Sequence, residues 1–398
     1  MPSLIALAMP GGPDFVAALV DAWESGHAVT PIDGRLPAPA LEAVLASLAP
    51  DVLVDSRGER HHLVGGQPVE TGDALVVATS GTTGSPRGVV LTHDAVAASA
   101  RATSAALGVD PSSDRWLACL PLAHVGGLSV VTRAVLTGTP LVVHPRFDPD
   151  EVAAAAGGSE PVTLVSLVAR SLGPAGGAGR VGVAGAGGEG GRLGRRVDPF
   201  LFRLVLLGGS APPTNLPPNV VTTYGMTETG SGVVYDGLPL EGVEVELGPA
   251  SEIRLRGPML CKGYRDGSEA CDAEGWLTTG DVGAIEDGRL VVKGRLDELI
   301  VTGGENVWPA PVEAAILEHP GVAEVAVVGR ADAEWGERLV AFVVPAGGVR
   351  ATPPTLDELR AMVKDRLGAW AAPRELVLVE SLPRTAIGKV RRRALLDA

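Results

Sequence analysis

Residues 78–88 read "ATSGTTGSPRG": five hydroxyls, three glycines, a proline and one cation within eleven positions. Glycine backbones let successive amides converge on an anion. Thr79, Ser80, Thr82 and Thr83 can add hydroxyl donors, and Arg87 adds a charge-assisted one. Gly/Ser-rich stretches also serve as plain flexible linkers. No Gly-Lys-Ser/Thr closes the segment, so it is not a Walker-type loop. The apolar run 74–77 before it and the helix start "THD" (92–94) after it favour a working loop over a linker.

The elements that must position such a loop can be read from apolar patterning. Short apolar runs at 74–78, 140–144, 162–168 and 203–209 predict buried strands. Amphipathic stretches at 15–26 and 93–108, each closed by glycine, predict helices. This alternation predicts an α/β fold with mostly parallel sheets. From about residue 240 the segments "VEVEL", "SEIRLRG" and "GRLVVKG" alternate apolar and polar positions, as antiparallel strands with one wet face do. From 298 onward helices (309–319, 355–368) and strands (323–330, 339–345, 374–380) form a compact α+β pattern able to stand as its own domain. Residues 173–194 are glycine-rich and low in complexity. Their "GAGGEG" matches GxGxxG only formally, because no strand-turn-helix surrounds it.

Composition narrows the partners. The 398 residues carry a net charge of −14, which argues against nucleic acid, since phosphate backbones demand a basic surface. An anionic ligand must instead meet local cations or amides. Cys119, Cys261 and Cys271 lie far apart without a CxxC, so neither a disulfide framework nor a zinc site is expected. The first residues lack a basic n-region and a long enough apolar run for a signal peptide. The longest uncharged stretch, 116–132, contains Pro121 and His124 and falls short of a membrane span. No membrane partner and a cytoplasmic location are therefore expected.

Six segments in order then resemble the adenylate-forming enzymes: acyl-CoA synthetases, adenylation domains and luciferases. They are "TSGTTGSPRG" (79–88), "LPLAH" (120–124), "LLGGSAPP" (206–213) with "YGMTET" (224–229), "TGD" (279–281), "GRLDELIVTGGENVWPAPVE" (294–313) and "PRTAIGKVRR" (383–392). The resemblance implies a large N-terminal domain, residues 1–294, of parallel-rich sheets and helices with a small distorted β-barrel-like antiparallel part. A small α+β C-terminal domain, 295–398, would follow and rotate between two half-reactions about Asp297. It implies ATP, Mg2+ and CoA as the small molecules handled, and leaves room for a homodimer.

The same resemblance assigns residues. Thr79, Ser80, Gly81, Thr82, Thr83, Gly84 and Arg87 would hold phosphates. Gly208, Gly209, Ser210, Tyr224 and Gly225 would hold adenine, with the Tyr224 ring as a flat face. Asp281 in a tight turn would accept the ribose hydroxyls, and Arg295 would touch ribose or phosphate. Glu228 beside Thr227 offers hard oxygen for Mg2+, with Thr83 as a second ligand. Gly303, Gly304 and Glu305 would line the thiol channel. Lysine is confined to Lys262, Lys293, Lys364 and Lys389. A basic tail is usually a solvated face, but a lone lysine among arginines is a compact charge suited to bridging a carboxylate and an α-phosphate. Lys389 is thus the implied catalytic lysine, with Glu228 and Thr227 beside the phosphates.

Residues 121–135 and 162–172 further resemble the o-succinylbenzoate–CoA ligases of menaquinone synthesis. Arg133 interrupts the apolar helix "LSVVTRAV" nine residues after His124. A cation there suits a dicarboxylic acid, whose second carboxylate would be costly to bury unpaired. The alternative is a rim arginine that snorkels. His124, Ser166 and Gly209 are the other expected pocket residues. The chain departs from the family pattern in the short stretch before the phosphate loop, in Arg87 where lysine is usual, and in the glycine-rich 173–194. Other readings are a different aryl- or acyl-CoA ligase, a stand-alone adenylation enzyme loading a carrier protein, and a nucleotide sensor without turnover. The last would be expected to lack Lys389 or Glu228.

Overall fold

The computed structural model describes residues 1–80, 86–172, 196–209, 212, 215–347, 353–384 and 390–396. The loop residues Gly81–Gly84, the segment 173–194, Ser210 and Lys389 lie outside the described residues.

The first sheet is built from β1 (Leu4–Leu7), β2 (Ala28–Pro31), β3 (Val52–Val54), β4 (Arg60–His62), β5 (Asp73–Ser80) and β6 (Pro86–Thr92). Helices α1 (Pro13–Glu24), α2 (Ala38–Leu48) and α3 (His93–Ala106) accompany it. The second sheet comprises β7 (Trp116–Ala118), β8 (Leu141–Val143), β9 (Leu164–Val168), β10 (Leu204–Gly208), β11 (Val220–Met226), β12 (Ser231–Tyr235) and β13 (Leu238–Pro239), with α4 (Val125–Thr137) and α5 (Pro149–Ala156). β14 (Glu244–Leu247), β15 (Glu252–Arg256), β17 (Leu277–Glu286) and β18 (Arg289–Arg295) form a curled antiparallel sheet, and the short β16 (Gly263–Tyr264) joins the first sheet. The last sheet contains β19 (Ile300–Thr302), β20 (Glu305–Val307), β21 (Val322–Asp332), β22 (Gly336–Pro345) and β23 (Glu375–Leu378), with α6 (Pro309–Ile316), α7 (Leu356–Leu367) and α8 (Arg393–Leu396).

The expected α/β architecture is present, but the sheets are mixed. The first runs β16-β6-β5-β2-β1-β3-β4, and only its centre is parallel. The second runs β13-β12-β11-β10-β9-β7-β8, parallel from β11 to β8. Its strands are continuous apolar runs because both faces are covered: Leu117, Val165, Leu167, Val205 and Leu207 are buried on one face, and Trp116, Ala118, Leu164 and Leu206 on the other.

A second difference concerns the loop at 81–85. The sequence reading passes from it to a helix start, whereas residues 86–92 first form β6. Antiparallel pairs Val77↔Val89 and Thr79↔Arg87 make β5 and β6 a hairpin whose connection is the loop. The helix begins where expected: Thr92 caps α3 by accepting the Ala95 amide at 3.2 Å.

The chain separates into two compact units. The first contains 1–246, 254–278 and 287–290; the second contains 247–253, 279–286 and 291–398. Each has its own core, the second built from α6 and α7 against β21 and β22 around Val312, Ile316, Val327, Leu339 and Leu359. No helix among the described residues is long and apolar enough to cross a membrane.

Backbones pack closely at a register shift in β11. A Cβ on Gly225 would lie 2.2 Å from the Ser231 carbonyl oxygen and 2.7 Å from the Gly232 Cα on β12. Both neighbours are backbone and cannot yield without opening the pair. Gly225→Ala should therefore cost about 1–3 kcal/mol, read as a lower urea midpoint with an unchanged m-value; a midpoint equal to the parent's would refute the clash.

Candidate active site

In the first unit the expected site segments hang from the carboxyl ends of parallel strands, where clefts open in α/β sheets. β7 leads into 120–124, β9 carries Ser166, β10 ends at Gly208 and Gly209, and β11 delivers Tyr224 and Gly225. Ser166 pairs with Leu206, and Leu207 with Thr222, so these ends lie side by side.

Thr227–Thr229 form one 3-10 turn after β11. Thr229 is fully buried, and its hydroxyl accepts the Met226 amide at 2.9 Å while lying 2.6 Å from the Ser231 carbonyl oxygen. The turn is thereby locked and holds Glu228 half-buried at its middle. The Glu228 carbonyl accepts the Cys261 amide at 2.7 Å. Its carboxylate Oε1 accepts the Tyr264 hydroxyl at 3.2 Å. Burial, with the Glu228 carboxylate adding to it, pushes the Tyr264 phenol above its ordinary range, so it stays a donor.

Arg87 sits over the same tyrosine, its guanidinium carbon 3.4 Å from the ring centroid. Its Nε lies 3.4 Å from Asp266 Oδ2, and Nη2 donates to Ser268 Oγ. Sequence reasoning missed Tyr264, Asp266 and Ser268. The visible signal was "GYRDGS" at 263–268, but nothing local connects it to a residue 177 positions earlier.

His124 stands at the start of α4, with Nε2 buried and without a partner among the described residues. Burial holds its imidazole below the ordinary 6.5; Asp33 opposes the shift and Arg35 adds to it. Arg133 lies eight residues after the start of α4 and is 1% exposed. Nη2 donates to Ser231 Oγ at 3.2 Å, and the guanidinium sits 5.0 Å from the Trp116 ring centroid. Nε and Nη1 have no partner among the described residues. This is not a snorkelling rim arginine. A small cavity beside it is lined by Ser99, Ser129, Thr132, Val96, Leu128 and Gly230.

In the second unit "TGD" is not the tight turn expected. Residues 279–281 lie inside β17, where Gly280 at φ +70 makes a kink. A Cβ there would meet the Arg295 guanidinium at 3.0 Å. The kink brings Asp281 Oδ1 to 3.3 Å from Arg295 Nη1, which also donates to the Thr279 carbonyl at 3.0 Å. Arg295 Nε reaches Asp297 Oδ1 at 3.2 Å. Gly303 and Gly304, both at positive φ, form the turn between β19 and β20, and Glu305 is exposed beside them. Arg384 and Val390 pair across the segment that contains Lys389, and Arg391 N donates to the Pro383 carbonyl at 2.8 Å. Arg392 joins Glu298 at 3.0 Å and Glu313 at 2.9 Å.

The donor set fits Mg2+ of the phosphate-bridging kind. Such an ion takes one or two carboxylates and completes its shell with water and substrate phosphate oxygens. Glu228 supplies one, half-buried and oriented. Among the described residues the three-membered His/Asp/Glu group is Asp55, Glu59 and His61 at the turn after β3, and it does not include Glu228. The buried thiols of Cys119 and Cys261 are pushed up to about 12 by desolvation, which removes them as nucleophiles.

A histidine kept neutral by burial has a lowered folded pKa. Its stabilisation is present above the unfolded value near 6.5 and is lost as pH falls through the folded value, because the unfolded chain takes the proton first. His93 is shifted in the same direction, also by burial. His124→Gln should flatten part of the fall in stability between about pH 7 and about pH 5, with His93 keeping the rest. Urea midpoints across that range that match the parent's slope would show that His124 titrates normally.

Comparison with known proteins places this geometry. The AMP-binding enzyme model matches residues 64–265, and the AMP-binding enzyme C-terminal domain matches 311–389. The chain is 40% identical over 378 residues to the probable 2-succinylbenzoate–CoA ligase of Mycobacterium tuberculosis, covering 90% of this chain and 93% of that protein. It resembles the o-succinylbenzoate CoA synthetase of Bacillus subtilis in complex with its acyl-adenylate intermediate, at 28% identity and TM-score 0.81, over 100% of this chain and 88% of that one. The same enzyme in complex with ATP and magnesium ion gives 27% identity and TM-score 0.80, over 99% and 89%. With its locked Glu228 turn, its hairpin loop and its small C-terminal unit, this chain belongs to the family of AMP-binding enzymes.

Proposed function

We propose that this protein is an AMP-forming acid–CoA ligase that converts 2-succinylbenzoate to its CoA thioester, a step of menaquinone biosynthesis. The observation that carries the choice of acid is the buried Arg133 on the helix that follows His124, whose Nε and Nη1 have no partner among the described residues. An acid with an apolar tail would leave that cation stranded, whereas a dicarboxylate brings its counter-charge with it. The 40% identity to a probable 2-succinylbenzoate–CoA ligase supports the same reading.

A carboxylate is a poor acyl donor because it is anionic and its leaving group would be oxide. In the first half-reaction a carboxylate oxygen attacks the α-phosphorus of ATP, the bond to the β-phosphate bridging oxygen breaks, and pyrophosphate leaves. In the second, the CoA thiol, losing its proton, attacks the acyl carbonyl and AMP departs. The first step asks for positioning and charge neutralisation rather than covalent help. Residues Thr79 to Gly84 would cradle the phosphates, with Arg87 at their margin. Glu228 and Thr83 would hold Mg2+, which when bound neutralises phosphate charge. Tyr224, Gly208, Gly209, Ser210 and Gly225 would frame the adenine, while Thr227 flanks the phosphates. Asp281, fixed by Arg295, would accept the ribose hydroxyls. His124, Ser166 and Gly209 would line the acyl pocket, with Arg133 on the second carboxylate. Lys389 would steady the carboxylate and α-phosphate in the first step. Rotation of 295–398 about Asp297 would then withdraw Lys389 and bring Gly303, Gly304 and Glu305 to the thiol arm. This reading puts the enzyme in the cytoplasm and leaves room for a homodimer.

ATP–pyrophosphate exchange with separate acids tests the choice. Exchange should be strong with o-succinylbenzoate and weak with benzoate and octanoate. Arg133→Met keeps the volume and removes the charge; it should raise KM for o-succinylbenzoate about 10- to 100-fold while leaving KM for ATP within about twofold. Equal exchange with octanoate, or an unchanged KM for the diacid, would overturn the assignment. Lys389→Ala should slow adenylate formation on the order of 100- to 1,000-fold yet spare thioester formation from premade acyl-adenylate. Equal loss in both half-reactions would remove the role given to Lys389.

A further inference from the structure

We infer that Tyr264 is a positioning residue for the phosphate end of the site: its hydroxyl orients the Glu228 carboxylate while its ring face seats the Arg87 guanidinium. The inference rests on the reading of Glu228 as the Mg2+ carboxylate and of Arg87 as the cation of the phosphate loop.

The geometry gives one side chain two jobs. A phenol has one hydrogen, and an ionised carboxylate only accepts, so the 3.2 Å contact runs from Tyr264 to Glu228 Oε1. It ties Oε1 to the phenol and leaves Oε2 for a hard cation. The opposite demand comes from Arg87, a planar cation that stacks on the ring at 3.4 Å and sends Nε and Nη2 to Asp266 and Ser268. A lysine could not both lie flat on the ring and reach two acceptors at its edge.

The platform itself is rigid. Tyr264 pairs with Val89 on β6, two residues from Arg87. Its own amide donates to the Ser268 carbonyl at 3.0 Å, closing the 264–268 turn. The next residue anchors the turn from outside. The Arg265 amide donates to the Gly88 carbonyl at 2.7 Å, and its guanidinium donates to the Leu48 carbonyl at 3.0 Å and the Pro68 carbonyl at 2.9 Å. Glu228 is tied to the same segment by the Cys261 amide. A carboxylate from the second sheet and a cation from the first are thus held at one spacing by one residue. An electrostatic site set in this way needs no rearrangement when charge arrives.

The test separates orientation from packing. Mn2+ serves as the probe, its binding followed by electron paramagnetic resonance in the presence of α,β-methylene-ATP, which cannot be cleaved at the reacting bond. Metal-free affinity for the same nucleotide and the unliganded melting temperature are measured in parallel. Tyr264→Phe keeps the ring and loses the hydroxyl. It should weaken Mn2+ about three- to tenfold with metal-free nucleotide affinity within about twofold and the melting temperature unchanged. Tyr264→Leu, which also removes the stack, should weaken the metal-free nucleotide as well. Glu228→Gln is the control on the underlying reading and should weaken Mn2+ at least as much as Tyr264→Phe. If Glu228→Gln leaves Mn2+ affinity intact, the metal role of Glu228 is wrong and this inference goes with it. If Glu228→Gln weakens Mn2+ but Tyr264→Phe does not, only the inference is overturned. Equal weakening of Mn2+ and metal-free nucleotide in Tyr264→Phe, with a lower melting temperature, would reduce Tyr264 to packing and overturn it too.

Discussion

Parallel pairing of β7, β9, β10 and β11 brings four strand ends to one edge of a sheet, and the first unit's site depends on that alignment. The pairing is stable only because both sheet faces are covered. Leu117, Val165, Val205 and Leu207 on one face and Leu164 and Leu206 on the other are all but inaccessible, and each buried aliphatic side chain contributes about 1.5–3 kcal/mol relative to exposure. Helix α4 follows from the same constraint. It starts directly after the β7 end, so His124 at its first turn and Arg133 further along it are carried by an element packed on that sheet.

Charge in low dielectric is the second constraint, and the chain handles its arginines in distinct ways. Arg392 is half-buried between two carboxylates, Glu298 and Glu313, which compensate its desolvation. Arg295 is shared between Asp281 and Asp297. Arg87 is stacked and paired at its edge. Arg133 differs from all three: it is the most buried, is lowered from its ordinary range by desolvation, and meets one hydroxyl and an indole face but no carboxylate among the described residues. A buried charge in that condition is costly, and a ligand that supplies the missing anion recovers the cost on binding. On the proposed reading the same residue would lower the stability of the empty pocket and sharpen its preference for a diacid.

Legibility followed the range of the interaction that fixes each feature. The strands at 162–168 and 203–209 were visible because a doubly covered strand must be an apolar run. The start of α3 was visible because capping is local, Thr92 accepting the amide three residues on. β6 was hidden, since residues 86–92 look like the tail of a loop until pairing with β5 defines them. "TGD" was misread as a turn because glycine before aspartate usually marks one; what decides otherwise is Arg295 filling the space a side chain on Gly280 would need. Tyr264 was invisible for the same reason, as its partners are 36 and 177 residues away in the chain.

The substitution of arginine for the family's usual lysine at position 87 takes on a different sense in this light. A lysine ammonium is a mobile point charge, and its location would be set by the loop that carries it. The Arg87 guanidinium is located by the Tyr264 ring, Asp266 and Ser268, all of which belong to the rigid 263–268 turn. Control of the cation's position has passed from the loop to the turn. Asp266 also takes up part of its charge, so on the proposed reading Arg87 would act less as a full counter-ion than as a cation held at one place. The charge persists, and its geometry is set by a segment that also contacts Glu228 through the Cys261 amide and the Tyr264 hydroxyl.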